Sequence, residues 1–284
     1  MRGMTKRVSR SRAGNVIVAL VLIILGIFMV LPIYYSVISA LKPINELFYF
    51  PPKFYVVNPT LDNFVSLIKI QAQSEVPFER YIFNSVFVSV VSTVGYVLIA
   101  SMAAYPLAKH NFPCKKLIAQ LVVFAILFRP EVLSIPQYVM MSKTHMINTY
   151  FALILPAMSG SFGVFLLQQF LETVPNEIIE SGRIDGANEI NVFFRLIMPI
   201  IKPAWMTVVI FTFLGVWNTN GIQFVYSENM KMLPAMLSSL SSAGIGRAGI
   251  AAAISVILML PPIVIFLFSE NSIVETMAHS GLKG

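Results

Sequence analysis

The sequence predicts an all-α, polytopic membrane protein with six transmembrane helices and both termini in the cytoplasm. Three observations lead there. Of 284 residues, 57% are hydrophobic and only 12% are charged, about half the charged share of a soluble domain, and mean hydropathy is +0.78. The charges are segregated, leaving long stretches that hold none. The chain also opens on Arg2, Lys6, Arg7, Arg10 and Arg12 directly before an apolar run, the composition of a flank retained in the cytoplasm.

The elements follow in order. Residues 1–13 form the basic cytoplasmic tail, and the transmembrane domain covers 14–268. Its first run, 14–41, holds no charge and is about twice the length of a signal-peptide core, so it reads as an uncleaved span. Crossing the hydrocarbon takes about 20 apolar residues, and five further segments qualify: 81–108, 117–141, 149–171, 197–217 and 248–268. Arg129, Pro130 and Glu131 interrupt the third. Those two charges are expected to form an ion pair at the outer rim or to contact a ligand. With the N-terminus inside, the cytoplasmic segments 1–13, 109–116, 172–202 and 269–284 hold 5, 3, 3 and 1 of the 20 lysines and arginines, a moderate positive-inside bias.

Between spans, the outer loop 42–80 carries Phe48, Tyr49, Phe50, Phe54 and Tyr55, which suit the membrane–water interface without implying chemistry. The outer segment 218–247, starting at Asn218-Thr219-Asn220-Gly221, is either a reach toward an external partner or a re-entrant connector. Asn84, Tyr138, Gln168, Trp217 and Asn218 lie near spans and are candidate contacts for a small polar ligand, because such sites combine aromatic faces with a few hydrogen-bonding groups. Packing and interhelical hydrogen bonding account for each of them more simply.

Several classes are excluded. The net charge of +7 is carried by flanks rather than by an aromatic-interleaved stripe, so nucleic acid is not expected. Cys114 is the single cysteine, and His110, His145 and His279 are far apart, so neither an internal disulfide nor a metal site is expected. Apart from the interrupted third, the span centres hold no ionisable residue of the kind an ion-coupled secondary carrier uses, and no constellation for a membrane-embedded enzyme. No phosphate-binding loop is present, so this chain holds no ATP.

The segment 172–199 is more than a connector. Thr173 is placed to cap a helix whose first turn accommodates Pro175, and Glu177 and Glu180 fall where the helix dipole favours negative charge. Glu180 and Arg183 are spaced to pair. Gly182 and Gly186, four apart, are expected to share a face that another protein's backbone can approach. Asp185-Gly186 reads as a break, with Asp185 able to cap the helix that follows. Residues 172–190 hold five carboxylates against one arginine, whereas helices lying at lipid headgroups favour Lys and Arg.

This segment resembles the EAA loop of ATP-binding-cassette (ABC) importer permeases, with Glu180-Ser181-Gly182, then Asp185-Gly186-Ala187, then Pro199 and Pro203. Ser181 and Gly182 stand where the family has two alanines, and both stay small. Ile135-Pro136-Gln137-Tyr138, Ile147-Asn148-Thr149-Tyr150, Phe151-Ala152-Leu153-Ile154-Leu155-Pro156, Trp217-Asn218 and the tail Gly281-Leu282-Lys283-Gly284 resemble the carbohydrate-uptake branch, in particular the maltose-type second permease subunit. The resemblance implies a type I importer fold in a prokaryotic cell membrane and an oligosaccharide cargo. It further implies a heterodimer with a second permease, an ABC ATPase dimer holding the ATP and Mg, and an extracytoplasmic solute-binding protein. Glu177, Glu180, Ser181, Gly182, Asp185, Gly186 and Ala187 would then couple to the ATPase, and Asn220 and Gly221 would contact the binding protein. A permease for another solute class, or less favoured an ion-coupled carrier, is the alternative.

Overall fold

The structure, a computed structural model, describes residues 12–72, 76–242 and 244–281. Most of the basic tail, Arg2, Lys6, Arg7 and Arg10, and the final Leu282-Lys283-Gly284 lie outside the described residues.

Among the described residues every regular element is helical. Gly14–Leu41, Phe78–Lys109, Phe151–Thr173 and Ala248–Ser269 are long and apolar enough to cross a membrane. Two bent pairs, Lys115–Ile126 with Glu131–Lys143 and Glu189–Ile200 with Lys202–Trp217, bring the number to six if each pair is one span. In chain order the helices are α1 (Arg12–Leu41), α2 (Ile44–Leu47), α3 (Asp62–Ala72), α4 (Phe78–Lys109), α5 (Lys115–Ile126), α6 (Pro130–Lys143), α7 (Phe151–Ala157) and α8 (Ser161–Glu172). There follow α9 (Asn176–Ile184), α10 (Glu189–Asn191), a π-helical turn (Val192–Ile197), α11 (Met198–Ile200), α12 (Lys202–Trp217), α13 (Leu233–Ser242) and α14 (Ala248–Gly281).

The expected third span is not straight. α5 and α6 meet at 108°, because Pro130 opens α6 and Arg129 before it is extended, at φ −74° and ψ 142°. A residue preceding proline is driven out of the helical region by the ring. The expected Arg129–Glu131 ion pair is not formed. The ion pairs of Arg and Lys among the described residues are Arg183–Glu189 and Lys231–Glu228, and Glu131 instead sits in the first turn of α6, where the helix dipole favours it.

The fourth span is also interrupted, between α7 and α8. A break inside a membrane exposes backbone groups that lipid cannot satisfy. Tyr96 of α4 supplies the missing partner: its hydroxyl donates to Gly160 O and accepts from Gly163 N–H, both at 2.7 Å. Only glycine fits there, since a Cβ on Gly163 would lie 2.6 Å from that oxygen.

α4 is the axis of the bundle, packing on α8, α12 and α7. Its buried Tyr96, Ala100, Ala104 and Tyr105 join Leu167, Leu171, Ile179, Val192, Phe193, Ile197 and Val208 in one core. That core runs without interruption from the spans into α9 and the π turn. In contrast α1 buries none of its apolar window and touches the rest mainly through α14 and α3.

At the end of α4 away from α9, the segment 42–72 is folded rather than loose. The Glu46 carboxylate accepts from Val57 N–H and Asn58 N–H; the first of these bonds holds its pKa below the ordinary 4.5. Phe48, Tyr49, Phe50, Phe54 and Tyr55 are all exposed, Phe50 to 95%, as an interfacial loop requires.

Candidate functional site: the elbow between α8 and α12

Thr173 does not cap α9. Its hydroxyl donates back to Phe170 O and finishes α8, and α9 begins after Pro175. Glu177 occupies the first turn, as expected for a negative charge at a helix start. Ile179 and Gly182 form the buried face, while Glu177, Glu180, Ser181, Arg183, Ile184, Asp185 and Gly186 are exposed.

Asp185-Gly186 ends the helix as read from sequence, through a specific device. Gly186 N–H bonds Arg183 O and Ala187 N–H bonds Gly182 O, both at 3.0 Å, with Gly186 at φ +83°. That is the Schellman stop, whose left-handed position glycine alone adopts without cost. Asp185 closes α9 and does not cap the next helix. Asn188 takes that role, its Oδ1 accepting from Asn191 N–H at 2.8 Å.

The shared glycine face is corrected too. Gly182 is buried against its own chain, where a Cβ would stand 2.5 Å from Leu196 Cδ1. Gly186 lies beyond the helix with nothing within 4 Å of a Cβ. Gly182 therefore seats α9 on the π turn, and only Gly186 is open to a visitor. Ala187 is half-buried and packs on the core beside α9. The most exposed apolar side chain of the elbow is Ile184, at 86%. The sequence pattern passed over it, because one isoleucine among carboxylates shows nothing until the helix face is known.

Charge pairing also differs from expectation. Arg183 bonds Glu189 rather than Glu180: Nε donates to Oε1 at 2.8 Å, and Nη2 lies 2.5 Å from the same oxygen. The Schellman turn folds Glu189 back beside Arg183, whereas Glu180 remains free in solvent.

Beyond α9 the chain is wound as a π turn and then bends by 79° into α12. Pro199 and Pro203 stand on either side of that bend, each lacking the N–H that would continue an α-helix.

The residues named as cargo contacts are not brought together. Trp217 is sealed in a core, stacked on Phe213 with its indole N–H donating to Leu258 O at 2.9 Å. Asn84 is fully buried and pins the segment after α12, donating to Asn229 O and Lys231 O and accepting from Tyr150. Gln168 bonds Glu172 within α8, Tyr138 is exposed on α6, and Asn218 bonds Leu214 O at the end of α12. Asn220 is exposed; Gly221 is buried at φ +62°, with its would-be Cβ 2.5 Å from Leu153.

The segment after α12 is held by further ties. Tyr81 and Lys231 both bond the Glu228 carboxylate, and Asn148 accepts from Tyr226 N–H and Ser227 N–H. Burial pushes the Glu228 pKa up, but the bonds from Lys231 and Tyr81 outweigh it and leave the group below its ordinary 4.5. α13 then turns back to pack on α14 and α4. A cavity of about 220 Å³ beside this segment is lined by Gln137, Thr219 and Gln223 among apolar side chains such as Leu153 and Met232. None of the expected cargo residues lines it.

Residues 84–271, which include α9 and both bent pairs, match the sequence pattern described as "Binding-protein-dependent transport system inner membrane component". The chain belongs to this family. It is thus a non-catalytic permease subunit of a binding-protein-dependent ABC importer, a multi-pass protein of the bacterial inner membrane. The permease is 28% identical over 272 residues to the arabinooligosaccharides transport system permease protein AraQ of Bacillus subtilis, covering 95% of this chain and 96% of that one. The AraQ protein of Halalkalibacterium halodurans is 30% identical over 227 residues, covering 79% and 80%. The sn-glycerol-3-phosphate transport system permease protein UgpE of Yersinia enterocolitica is 26% identical over 95% and 98%. Among solved structures, a chain of a bacterial ABC transporter involved in the import of alginate superposes with a TM-score of 0.78 at 18% identity, covering 92% of the permease and 98% of that chain. That likeness carries the fold.

Proposed function

We propose that this permease moves a carbohydrate, an oligosaccharide, into the cytoplasm, driven by a partner ATPase pair that seats the α9 elbow. The observation that carries the coupling half is the mounting of Ile184. A bare apolar side chain stands at the tip of a helix whose other face is built into the spanning core. A loose tether would absorb a push, whereas a helix fixed by Ile179 and Gly182 passes it to α12 and α4. Exposed Glu177, Glu180 and Asp185 surround Ile184 and would steer a basic groove toward it. Both termini and the elbow then lie in the cytoplasm, and ATP and Mg belong to the ATPase dimer.

The cargo half rests on the AraQ relatives, named for arabinooligosaccharides, together with the carbohydrate-branch motifs. A second permease would complete a heterodimer, and an extracytoplasmic solute-binding protein would deliver the sugar. A structural neighbour, with a TM-score of 0.58, was solved as an alginate transporter in complex with an alginate pentasaccharide-bound periplasmic protein. The second reading is a small polyol phosphate, favoured by the UgpE relatives.

The test is the importer reconstituted in vesicles with its solute-binding protein and offered a panel of arabino-oligosaccharides, uronate oligosaccharides and sn-glycerol 3-phosphate. Uptake of an oligosaccharide that also stimulates ATP hydrolysis supports the proposal. Stimulation by the glycerol phosphate alone selects the second reading, and uptake independent of ATP overturns both.

A further inference from the structure

The elbow has a second mechanical output besides α12. The cytoplasmic end of α4, in the orientation proposed above, is tied to both ends of α9 by side chains that no motif includes. Past the end of α9, the Glu189 carboxylate collects groups from two elements. Arg183 of α9 bonds Oε1, while Tyr105 Oη of α4 donates to Oε2 at 3.3 Å and His110 Nε2, at the α4 cap, lies 3.6 Å from the same oxygen. The Tyr105 ring is buried and packs edge-on against His110 and at a tilt against Phe193 of the π turn, so the hydroxyl is held in place from behind. At the start of α9, Lys109 Nζ donates to Val174 O just before the helix and to Oδ1 of its first residue, Asn176.

We infer that Glu189 is a positioning residue for transport: it clamps the elbow to α4, so that a displacement of α9 drives α4 together with α12. The geometry fits no simpler purpose well. Glu189 and Arg183 are each about half exposed, at 50% and 47%, and a water-screened surface pair adds little to stability. What two donors on one carboxylate, Arg183 on one oxygen and Tyr105 on the other, do supply is direction, since rotation away from one partner also strains the bond to the other. The route through α12 alone would be compliant, because it crosses the π turn and the 79° bend. The route through Glu189 and Lys109 reaches α4, the helix that packs on α8, α12 and α7 at once, without crossing a bend. α4 also carries Tyr96, the group that bridges the α7–α8 break, so its movement reaches the interrupted span directly.

This inference rests on the docking of the elbow to an ATPase, and the experiment separates the two. Glu189→Ala, Glu189→Gln, Tyr105→Phe and Lys109→Met are each purified as the whole importer. Three readouts are taken: retention of the ATPase subunit, ATP hydrolysed, and solute moved per ATP. The clamp predicts that Glu189→Ala retains the ATPase and hydrolyses ATP, while solute moved per ATP falls at least tenfold. Glu189→Gln, which keeps an oxygen for Arg183 and Tyr105, recovers part of that loss, and Tyr105→Phe and Lys109→Met each lose several-fold. Unchanged solute per ATP in Glu189→Ala and Lys109→Met overturns the clamp with docking intact. Should Glu189→Ala fail to accumulate, Tyr105→Phe decides, because it removes one hydroxyl and leaves the ring packing in place. A parent importer that does not retain the ATPase overturns the docking itself.

Discussion

Replacing Gly186 by alanine, asparagine and tryptophan in parallel separates backbone cost from docking. Gly186 sits at φ +83°, where a side chain costs roughly 1–2 kcal/mol and asparagine somewhat less. A Cβ there meets nothing within 4 Å, so the permease itself imposes no further cost on any of the three. Roughly 1–2 kcal/mol is a factor of about 5 to 30 in the elbow's conformational equilibrium. The Schellman bonds from Gly186 and Ala187, and the core beneath Ile179, continue to favour the turn. Alanine and asparagine should therefore retain at least half of wild-type uptake. Tryptophan carries the same backbone cost as alanine, and its bulk projects only outward. If an ATPase groove closes over this surface, Gly186→Trp abolishes uptake while membrane level and thermal stability match Gly186→Ala. The assay is solute uptake normalised to protein in the membrane, with melting of the purified chains alongside. Equal uptake by the tryptophan and alanine variants would refute docking at this surface.

Other perturbations test the fold and the charges. Asp185→Lys reverses an exposed charge beside Ile184 and should abolish uptake without lowering the melting temperature; normal uptake removes the carboxylates from the docking surface. Tyr96→Phe leaves Gly160 O and Gly163 N–H unpaired in the α7–α8 break, at about 1–3 kcal/mol each, so the melting temperature should fall by several degrees, and an unchanged melt shows that other groups satisfy them. Gly163→Val places a branched side chain onto the Tyr96 hydroxyl, already 2.6 Å from a would-be Cβ, and should leave little folded protein in a fluorescence size-exclusion assay. Glu228 is held below its ordinary pKa of 4.5, so its stabilisation is complete above that value and is lost as pH falls through the lower, folded one. Thermal melts should thus show a constant gap between Glu228→Gln and the parent above pH 4.5 that closes as pH falls below it, whereas a gap unchanged at every pH would show the carboxylate to be unpaired.

The spans were legible because charge-free runs of lipid-crossing length admit few alternatives, and the core positions of α4, α8 and α12 fall within them. The interruptions were less so. Pro130 marked the α5–α6 bend, but the break between α7 and α8 depends on a tyrosine more than sixty residues upstream, and no local pattern announces that. At the elbow the Asp-Gly stop was readable from turn chemistry alone. The face assignment was not, because placing Gly182 and Gly186 together assumed a continuous helix, and the Schellman turn at Gly186 ends it. The same turn brings Glu189 to Arg183, so the Glu180–Arg183 pairing expected from helical spacing lost to a contact made across the corner. Trp217 and Asn84 looked like ligand chemistry because aromatic and amide groups near spans are ambiguous until burial is known. In the fold the indole and the amide serve backbone carbonyls of α14 and of the segment after α12.

The central claim is that the tip of α9 lies in the cytoplasm against an ATPase. The most direct measurement places a cysteine at Ile184 in a chain whose exposed Cys114 is replaced by glycine, the residue suited to its φ of +64°. Cross-linking with a short thiol-to-amine reagent in inverted membrane vesicles should join the permease to the ATPase subunit, and a membrane-impermeant maleimide added to intact spheroplasts should leave that cysteine unlabelled. Labelling from outside, or cross-links to lipid amines alone, would contradict the account.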